Sequence, residues 1–173
     1  YCLGRNFAAH AREMRSDVPD RPIYFVKPPC ALVGHGGRVA LPRWTGEVHY
    51  EVELAVLVGK EGRDVPYEKA PELVAGYGCL LDITARDRQA EAKELGLPWA
   101  MAKGAEGFAP LSDITDPEGI DPNALELGLY VNDELRQRGN TRDMIFDVPE
   151  TLAYLSGIVG LAPGDVVAMG TPK

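Results

Sequence analysis

Two glutamates separated by a single residue are the first side chains in this sequence whose types and spacing could do chemistry. Glu51 and Glu53 lie within residues 49–58, where they alternate with apolar residues such as Val52, and this alternation predicts a β-strand. Side chains two positions apart on a strand point to the same side, about 7 Å apart. Because like charges at that spacing repel, either a cation lies between the two carboxylates or water surrounds both.

A third acid, Asp82, lies in a second apolar stretch, residues 77–84, which also predicts a strand. Three carboxylates without a thiol partner suit a hard divalent ion, Mg²⁺ or Mn²⁺ in preference to Ca²⁺. The alternative is an acidic face of an edge strand that lies in water, since half-exposed strands often carry glutamate. The pair of glutamates alone leaves both interpretations open.

A histidine and a glutamate three residues apart form the second candidate group. Residues 6–15 are rich in helix-forming residues and begin with Asn6, a favoured N-cap. On such a helix His10 and Glu13 are neighbours, and a carboxylate beside an imidazole holds one tautomer and raises the basicity of the ring. The pair could take a proton from water, or it could be an exposed pair that stabilises the helix slightly.

Two cations and an amide complete the candidates. Arg86 and Gln89 follow Asp82 on a predicted short helix, residues 85–95, and Lys103 lies between two short elements. Together they could bind an anionic oxygen of a substrate. The alternative is a charged helix face in water.

Composition excludes several classes of function. The chain has 173 residues, with 18 Lys plus Arg against 26 Asp plus Glu and a formal net charge of −8. An acidic chain without a basic block is a poor partner for nucleic acid or an anionic membrane. No apolar run approaches the roughly 18 residues that cross a bilayer. Nineteen glycines and 14 prolines favour strands and turns over a helical bundle.

The element pattern predicts a mixed α+β fold that is mostly β, with short helices. The remaining strands are predicted at residues 23–26, 39–41 and 165–169, a hairpin at 125–138, and helices at 67–75 and 147–159. We expect one domain over residues 1–173 that appears clipped at both ends, and three core thiols rather than disulfides. The expected location is the cytoplasm, although the missing start leaves organellar targeting open.

Seven segments, taken together and in order, resemble the fumarylacetoacetate hydrolase family, and most closely its small single-domain acylpyruvate hydrolase branch. They are residues 2–14, 49–59, 76–89, 97–103, 131–137, 144–146 and 163–172. The resemblance implies a rolled, mixed β-sheet fold, a homodimer, and a small 2-oxo acid as the substrate. It also implies roles for the residues at the family's motifs. The metal would be bound by Glu51, Glu53 and Asp82, the H-x-x-E dyad on an N-terminal lid would be His10 and Glu13, the catalytic lysine would be Lys103, and the substrate would contact Arg86, Gln89 and Thr171.

The expected activity is metal-dependent hydrolysis of a carbon–carbon bond in a 1,3-diketo acid of the acylpyruvate or fumarylpyruvate type. The 2-oxo acid would chelate Mg²⁺ or Mn²⁺, and His10 with Glu13 would activate water. Oxaloacetate decarboxylation or keto–enol isomerisation with the same ion is one alternative. A non-catalytic, divalent-metal-binding dimerisation module is another. The segment after Lys103 varies in the family, so the acyl group stays open.

Overall fold

The computed structural model describes residues 1–8 and 18–173. The predicted helix over residues 6–15, and with it His10 and Glu13, lies almost wholly outside the described residues. The strands are β1 Cys2–Gly4, β2 Ile23–Phe25, β3 Leu32–Val33, β4 Val48–His49, β5 Val52–Val58, β6 Val74–Leu81, β7 Thr84–Ala85, β8 Ala109–Pro110, β9 Glu126–Val131, β10 Glu134–Asn140 and β11 Val166–Ala168. The α-helices are α1 Arg86–Leu95, α2 Ala100–Lys103 and α3 Val148–Ile158, and 3-10 helices span Pro29–Ala31, Tyr67–Leu73 and Thr141–Asp143.

A five-stranded mixed sheet forms the centre of the structure, in the order β2-β1-β11-β5-β6. β1 and β11 are parallel, and the other neighbours are antiparallel. β5 therefore lies inside the sheet, paired on both sides. Its two faces are both buried, with Val56 fully enclosed on one face and Glu53 only 1% exposed on the other. The edge-strand interpretation of the two glutamates is therefore wrong, because this strand is central and its acidic face is covered.

Helix α3 covers one face of the sheet, together with the 3-10 helix Tyr67–Leu73. Asp147 caps the helix by accepting a hydrogen bond from the backbone N–H of Glu150 at 2.8 Å, and Pro149 occupies its first turn. Leu152 and Leu155, on the inner face of this helix, are fully buried. This close packing supports one face of the sheet, and the charged residue Glu53 lies on the other face of β5.

Several element predictions differ from the structure in detail. Residues 67–75 form a 3-10 helix that ends at Leu73, because Pro71 inside it lacks the N–H of an α-helix. Residues 39–41 are not in a strand. Of the three predicted core thiols, Cys2 is buried, but Cys30 and Cys79 are exposed.

The fold class is confirmed as a mixed fold of many strands and few short helices. The hairpin β9–β10 turns at Asn132 and Asp133, which both have positive φ, as a two-residue turn of this kind requires. Within residues 1–8 and 18–173, no helix is long and apolar enough to cross a bilayer.

Candidate metal centre and substrate cleft

Three buried carboxylates meet at one end of the central sheet. Glu53 lies in β5, Glu51 lies one residue before that strand, and Asp82 follows β6, the strand that pairs with β5. One oxygen from each carboxylate lies within 4.8 Å of the others. All three residues are nearly inaccessible, with exposed fractions of 6%, 1% and 1% for Glu51, Glu53 and Asp82. A set of buried oxygens that includes no thiol or imidazole suits a hard divalent cation.

Lys103, the last residue of α2, is buried against this cluster. Its ammonium donates hydrogen bonds to Glu51 Oε2 at 2.8 Å, to Asp82 Oδ2, and to Thr84 Oγ1 at 2.7 Å. These three bonds use all three hydrogens of the ammonium. Lys103 therefore joins two of the three carboxylates and places one positive charge beside them.

A second buried lysine, Lys27, was not singled out in the sequence. Its side chain is 5% exposed, and its Nζ lies 2.7 Å from Asp82 Oδ1. The ammonium donates to the backbone carbonyls of Ile83 at 3.1 Å, of Phe108 at 2.9 Å, and of Lys103. Because these carbonyls take its three hydrogens, Asp82 Oδ1 receives no hydrogen bond from the residues that the structure describes. This buried oxygen faces the charge of Lys27 but accepts no hydrogen bond there, which fits a ligand atom for a cation.

Glu53 and Glu51 have opposite electrostatic environments. Burial, together with the charges of Asp82 and Glu51, raises the pKa of Glu53 well above its usual value. Burial also acts to raise the pKa of Glu51, but the charges and hydrogen bonds of Lys103 and Arg86 outweigh it and lower this pKa to about 2. The raised pKa of Glu53 means that the described side chains compensate its negative charge poorly, and a divalent cation would favour the charged form.

Burial and neighbouring charges also act against each other on the pKa values of Asp82 and Lys103. Burial raises the pKa of Asp82, although the charges of Lys103 and Lys27 oppose it. Burial acts to lower the pKa of Lys103, but the charges of Asp82 and Glu51 outweigh it and raise this pKa. The lysine is therefore held as a cation by the carboxylates around it.

Arg86 and Gln89 extend the site along the first turns of α1. The guanidinium of Arg86 contacts Glu51 Oε1, donates to Gln89 Oε1 at 2.6 Å, and donates through Nε to His49 Nδ1 at 3.3 Å. These bonds use three of its five N–H groups, and the side chain is 16% exposed. Within the described residues, Arg86 thus keeps donors for a bound anion.

The segment that follows β11 contains Thr171 and contacts Glu53. Gly170 donates its backbone N–H to Glu53 Oε2 at 2.8 Å. Gln137 donates to Thr171 Oγ1 at 2.9 Å and accepts from the backbone N–H of Val52 at 2.9 Å. The hairpin residue Gln137 therefore ties this segment to the start of β5.

One cleft brings these residues together. It is lined by all seven candidates that the structure describes, Glu51, Glu53, Asp82, Arg86, Gln89, Lys103 and Thr171, and by Leu3, Gly4, Arg5, Phe25, Lys93 and Trp99. The predicted dyad of His10 and Glu13 lies outside the described residues. The sequence offered one signal for the missed Lys27, a lysine directly after the apolar run of residues 23–26.

Comparison with known proteins places the whole chain in one group. The model of the family described as fumarylacetoacetate (FAA) hydrolase C-terminal matches residues 1–173. An uncharacterised protein of Pyrococcus abyssi is 51% identical over 98% of this chain and 76% of its own length. The oxaloacetate tautomerase FAHD1, mitochondrial, of Arabidopsis thaliana is 46% identical over 99% of this chain and 78% of its own length.

A solved structure shows the same fold with a metal. The crystal structure of fumarylpyruvate hydrolase from Pseudomonas aeruginosa in complex with Mn²⁺ and pyruvate superposes with a TM-score of 0.94 at 42% identity. The match covers 99% of this chain and 76% of that one. A structural relative thus contains Mn²⁺, and the carboxylate cluster of this chain can accept such an ion.

Proposed function

Because the chain belongs to the fumarylacetoacetate (FAA) hydrolase family, we propose that it is a divalent-metal-dependent enzyme that acts on a 2-oxo acid through its enolate. One observation carries this proposal: three buried carboxylates converge in a cleft that also holds a buried lysine and a partly exposed arginine. The relatives with named activities include an oxaloacetate tautomerase and a fumarylpyruvate hydrolase. Both reactions need a negative charge on a 2-oxo acid to be stabilised.

In this proposal Glu51, Glu53 and Asp82 hold Mg²⁺ or Mn²⁺. The ion would polarise the oxygens of the bound 2-oxo acid and lower the energy of its enolate. Lys103 contributes a fixed positive charge, because its three hydrogens are already bonded within the site. Burial strengthens this contribution, since the charge acts in a medium of low dielectric constant.

The substrate carboxylate is assigned to Arg86, Gln89 and Thr171. Arg86 has two N–H groups beyond the three that bond protein atoms in the described part of the chain. Gln89 accepts from Arg86 through Oε1, which directs its amide nitrogen away from the arginine as a further donor. These donors are pre-positioned, so little reorganisation is needed when an anion binds.

Keto–enol tautomerisation of oxaloacetate is the first candidate reaction. It moves a proton between C3 and the keto oxygen, and it needs no attacking water. The named relative at 46% identity is an oxaloacetate tautomerase. The residues of the described cleft supply what this reaction needs most, which is positive charge beside the enolate oxygen.

Hydrolysis of an acylpyruvate is the second candidate, and the spacing of His10 and Glu13 favours it. In this reaction the dyad would take a proton from water, which adds to the carbonyl farther from the carboxylate. The carbon–carbon bond then breaks, and pyruvate leaves as its enolate. The fumarylpyruvate hydrolase relative, which binds pyruvate, supports this reading.

Substitution of His10 should affect the rates of the two reactions differently. We predict that His10→Ala lowers the rate of acetylpyruvate hydrolysis by about 10²- to 10⁴-fold, the usual contribution of a general base, and leaves oxaloacetate tautomerisation near the wild-type rate. His35→Ala is the matched control, because His35 is an exposed histidine in a turn outside the cleft. The rates are measured with Mn²⁺ by following the enol absorbance of each substrate.

Three outcomes would contradict parts of this proposal. Full hydrolysis by His10→Ala would remove the water-activation role. Loss of both activities in that variant would mean that the histidine also serves the proton transfer of tautomerisation. No turnover of either substrate by the wild-type protein with Mn²⁺ would favour a non-catalytic metal-binding module.

A further inference from the structure

The mouth of the cleft carries two cations that the reaction described above does not use. Arg5 and Lys93 line the same cleft as the carboxylate cluster, together with the rings of Phe25 and Trp99. Lys93 is exposed, and it forms no ion pair within residues 1–8 and 18–173. In a chain of net charge −8, this concentration of positive charge needs an explanation.

Helix α1 sets the distance between the inner and outer cations. Arg86, Gln89 and Lys93 follow one another at intervals of three and four residues, so they share one face of the helix. Seven residues of α-helix rise about 10 Å. The face therefore runs from the guanidinium beside Glu51 to a lysine two turns farther out.

Two aromatic rings, Trp99 and Phe25, lie between the outer lysine, Lys93, and the inner lysine, Lys103. The Nζ of Lys93 lies 5.5 Å from the centre of the Trp99 ring, and the rings of Trp99 and Phe25 are 5.7 Å apart. The Nζ of Lys103 lies 4.9 Å from the centre of the Phe25 ring. Such rings offer an apolar surface for a carbon chain, with a cation at each end.

The electrostatic environment of Lys93 is positive. Burial and the charges of Arg5, Arg86 and Lys103 lower its pKa, while Glu51 acts in the opposite direction. Arg5 has a positive φ of 60°, a strained conformation for a non-glycine residue that is often found at ligand sites. The clustered cations would gain a partner if an anion entered between them.

We infer that Arg5 and Lys93 form a second anionic subsite, which binds a carboxylate at the far end of the substrate while its carbon chain lies along Phe25 and Trp99. This inference rests on the proposed function, which places the 2-oxo acid end at the carboxylate cluster. It distinguishes between the two candidate substrates, because oxaloacetate carries a distal carboxylate that Arg5 and Lys93 would bind, whereas acetylpyruvate does not.

The test uses two unreactive probes of equal length, 2-oxoadipate and 2-oxohexanoate, which differ only in the distal carboxylate. Binding of each is measured by calorimetry with Mg²⁺ present, for the wild type, Lys93→Gln and Lys60→Gln. Lys60 is the matched control, because it is an exposed lysine outside the cleft. We expect the wild type and Lys60→Gln to bind 2-oxoadipate about tenfold more tightly, and Lys93→Gln to lose roughly three- to tenfold of that preference, as partly exposed ion pairs allow.

Equal binding of both probes by the wild type would overturn the subsite, and so would an equal effect of Lys93→Gln on both. Failure of the proposed function gives a different result. If the wild type turns over no substrate but still prefers 2-oxoadipate through Lys93, the subsite stands and the reaction does not.

Discussion

At the scale of single residues, the buried lysines hold the carboxylate cluster together. Lys27 satisfies three backbone carbonyls and faces Asp82, and Lys103 bonds two of the three acids. Taking a charge out of water is costly unless partners surround it. Removing either cation would leave the buried negative charge of Asp82 with only one of its two lysine partners.

The first stability prediction concerns Lys27. Lys27→Met should lower the free energy of unfolding by about 3–5 kcal/mol, the usual cost of breaking a buried ion pair on one side. The measurement is urea unfolding in EDTA, with the exposed Lys60→Met as control. A loss below about 1 kcal/mol, as for an exposed pair, would show that Lys27 does not stabilise the cluster.

The residues of the cluster differ in how visible they are in the sequence. Glu51 and Glu53 could be singled out because they interrupt an apolar alternation. Lys27 could not be assigned a role, because it donates its hydrogen bonds to the backbone carbonyls of Ile83, Lys103 and Phe108 and meets Asp82 only in the folded chain. Backbone acceptors carry no side-chain pattern, so only the folded structure identifies them.

At the scale of elements, the turn after β11 positions one of the three acids. Gly170 has a φ of 86°, and a Cβ built there would lie 2.8 Å from the Cβ of Asn6. Asn6 is itself fixed, since its amide donates to the carbonyls of Phe146 at 3.0 Å and Met169 at 2.8 Å. The turn can therefore bring its N–H to Glu53 only with glycine at this position.

The second stability prediction follows from this contact. Gly170→Ala should destabilise the protein by about 2–4 kcal/mol, because a strained φ and overpacking both contribute, and it should weaken Mn²⁺ binding through Glu53. Gly164→Ala is the control, since Gly164 also has a positive φ of 93° but nothing within 4 Å of its added Cβ.

Thermal or urea unfolding of the two variants and calorimetric titration of Mn²⁺ give the comparison. Equal destabilisation by Gly170→Ala and Gly164→Ala would show that Asn6 moves aside easily. Unchanged Mn²⁺ affinity in a folded Gly170→Ala protein would show that the Glu53 contact does not position the ligand.

Element identity was more predictable than element pairing. The alternation in residues 49–58 predicted a strand, and β5 spans Val52–Val58. Its central place in the sheet could not be predicted, because β11, its neighbour, lies more than a hundred residues later. The burial of Glu53 depends on that long-range pairing, and a local pattern does not report it.

At the scale of the whole molecule, an acidic chain places four of its 18 lysines and arginines in one cleft. The net charge is −8, yet Arg5, Arg86, Lys93 and Lys103 line the same depression. Cations in a concave, partly apolar site focus the field and attract anions. This arrangement supports the proposal that the cleft binds a small organic acid.

The central claim is that Glu51, Glu53 and Asp82 bind one divalent cation. The most direct test is an anomalous difference map from crystals of this protein soaked in Mn²⁺. The account predicts a single strong peak between the three carboxylates, at roughly 2.0–2.2 Å from their oxygens, as expected for a hard cation of this size. A well-ordered map with no peak at that position, or with manganese bound only to other acids, would contradict it.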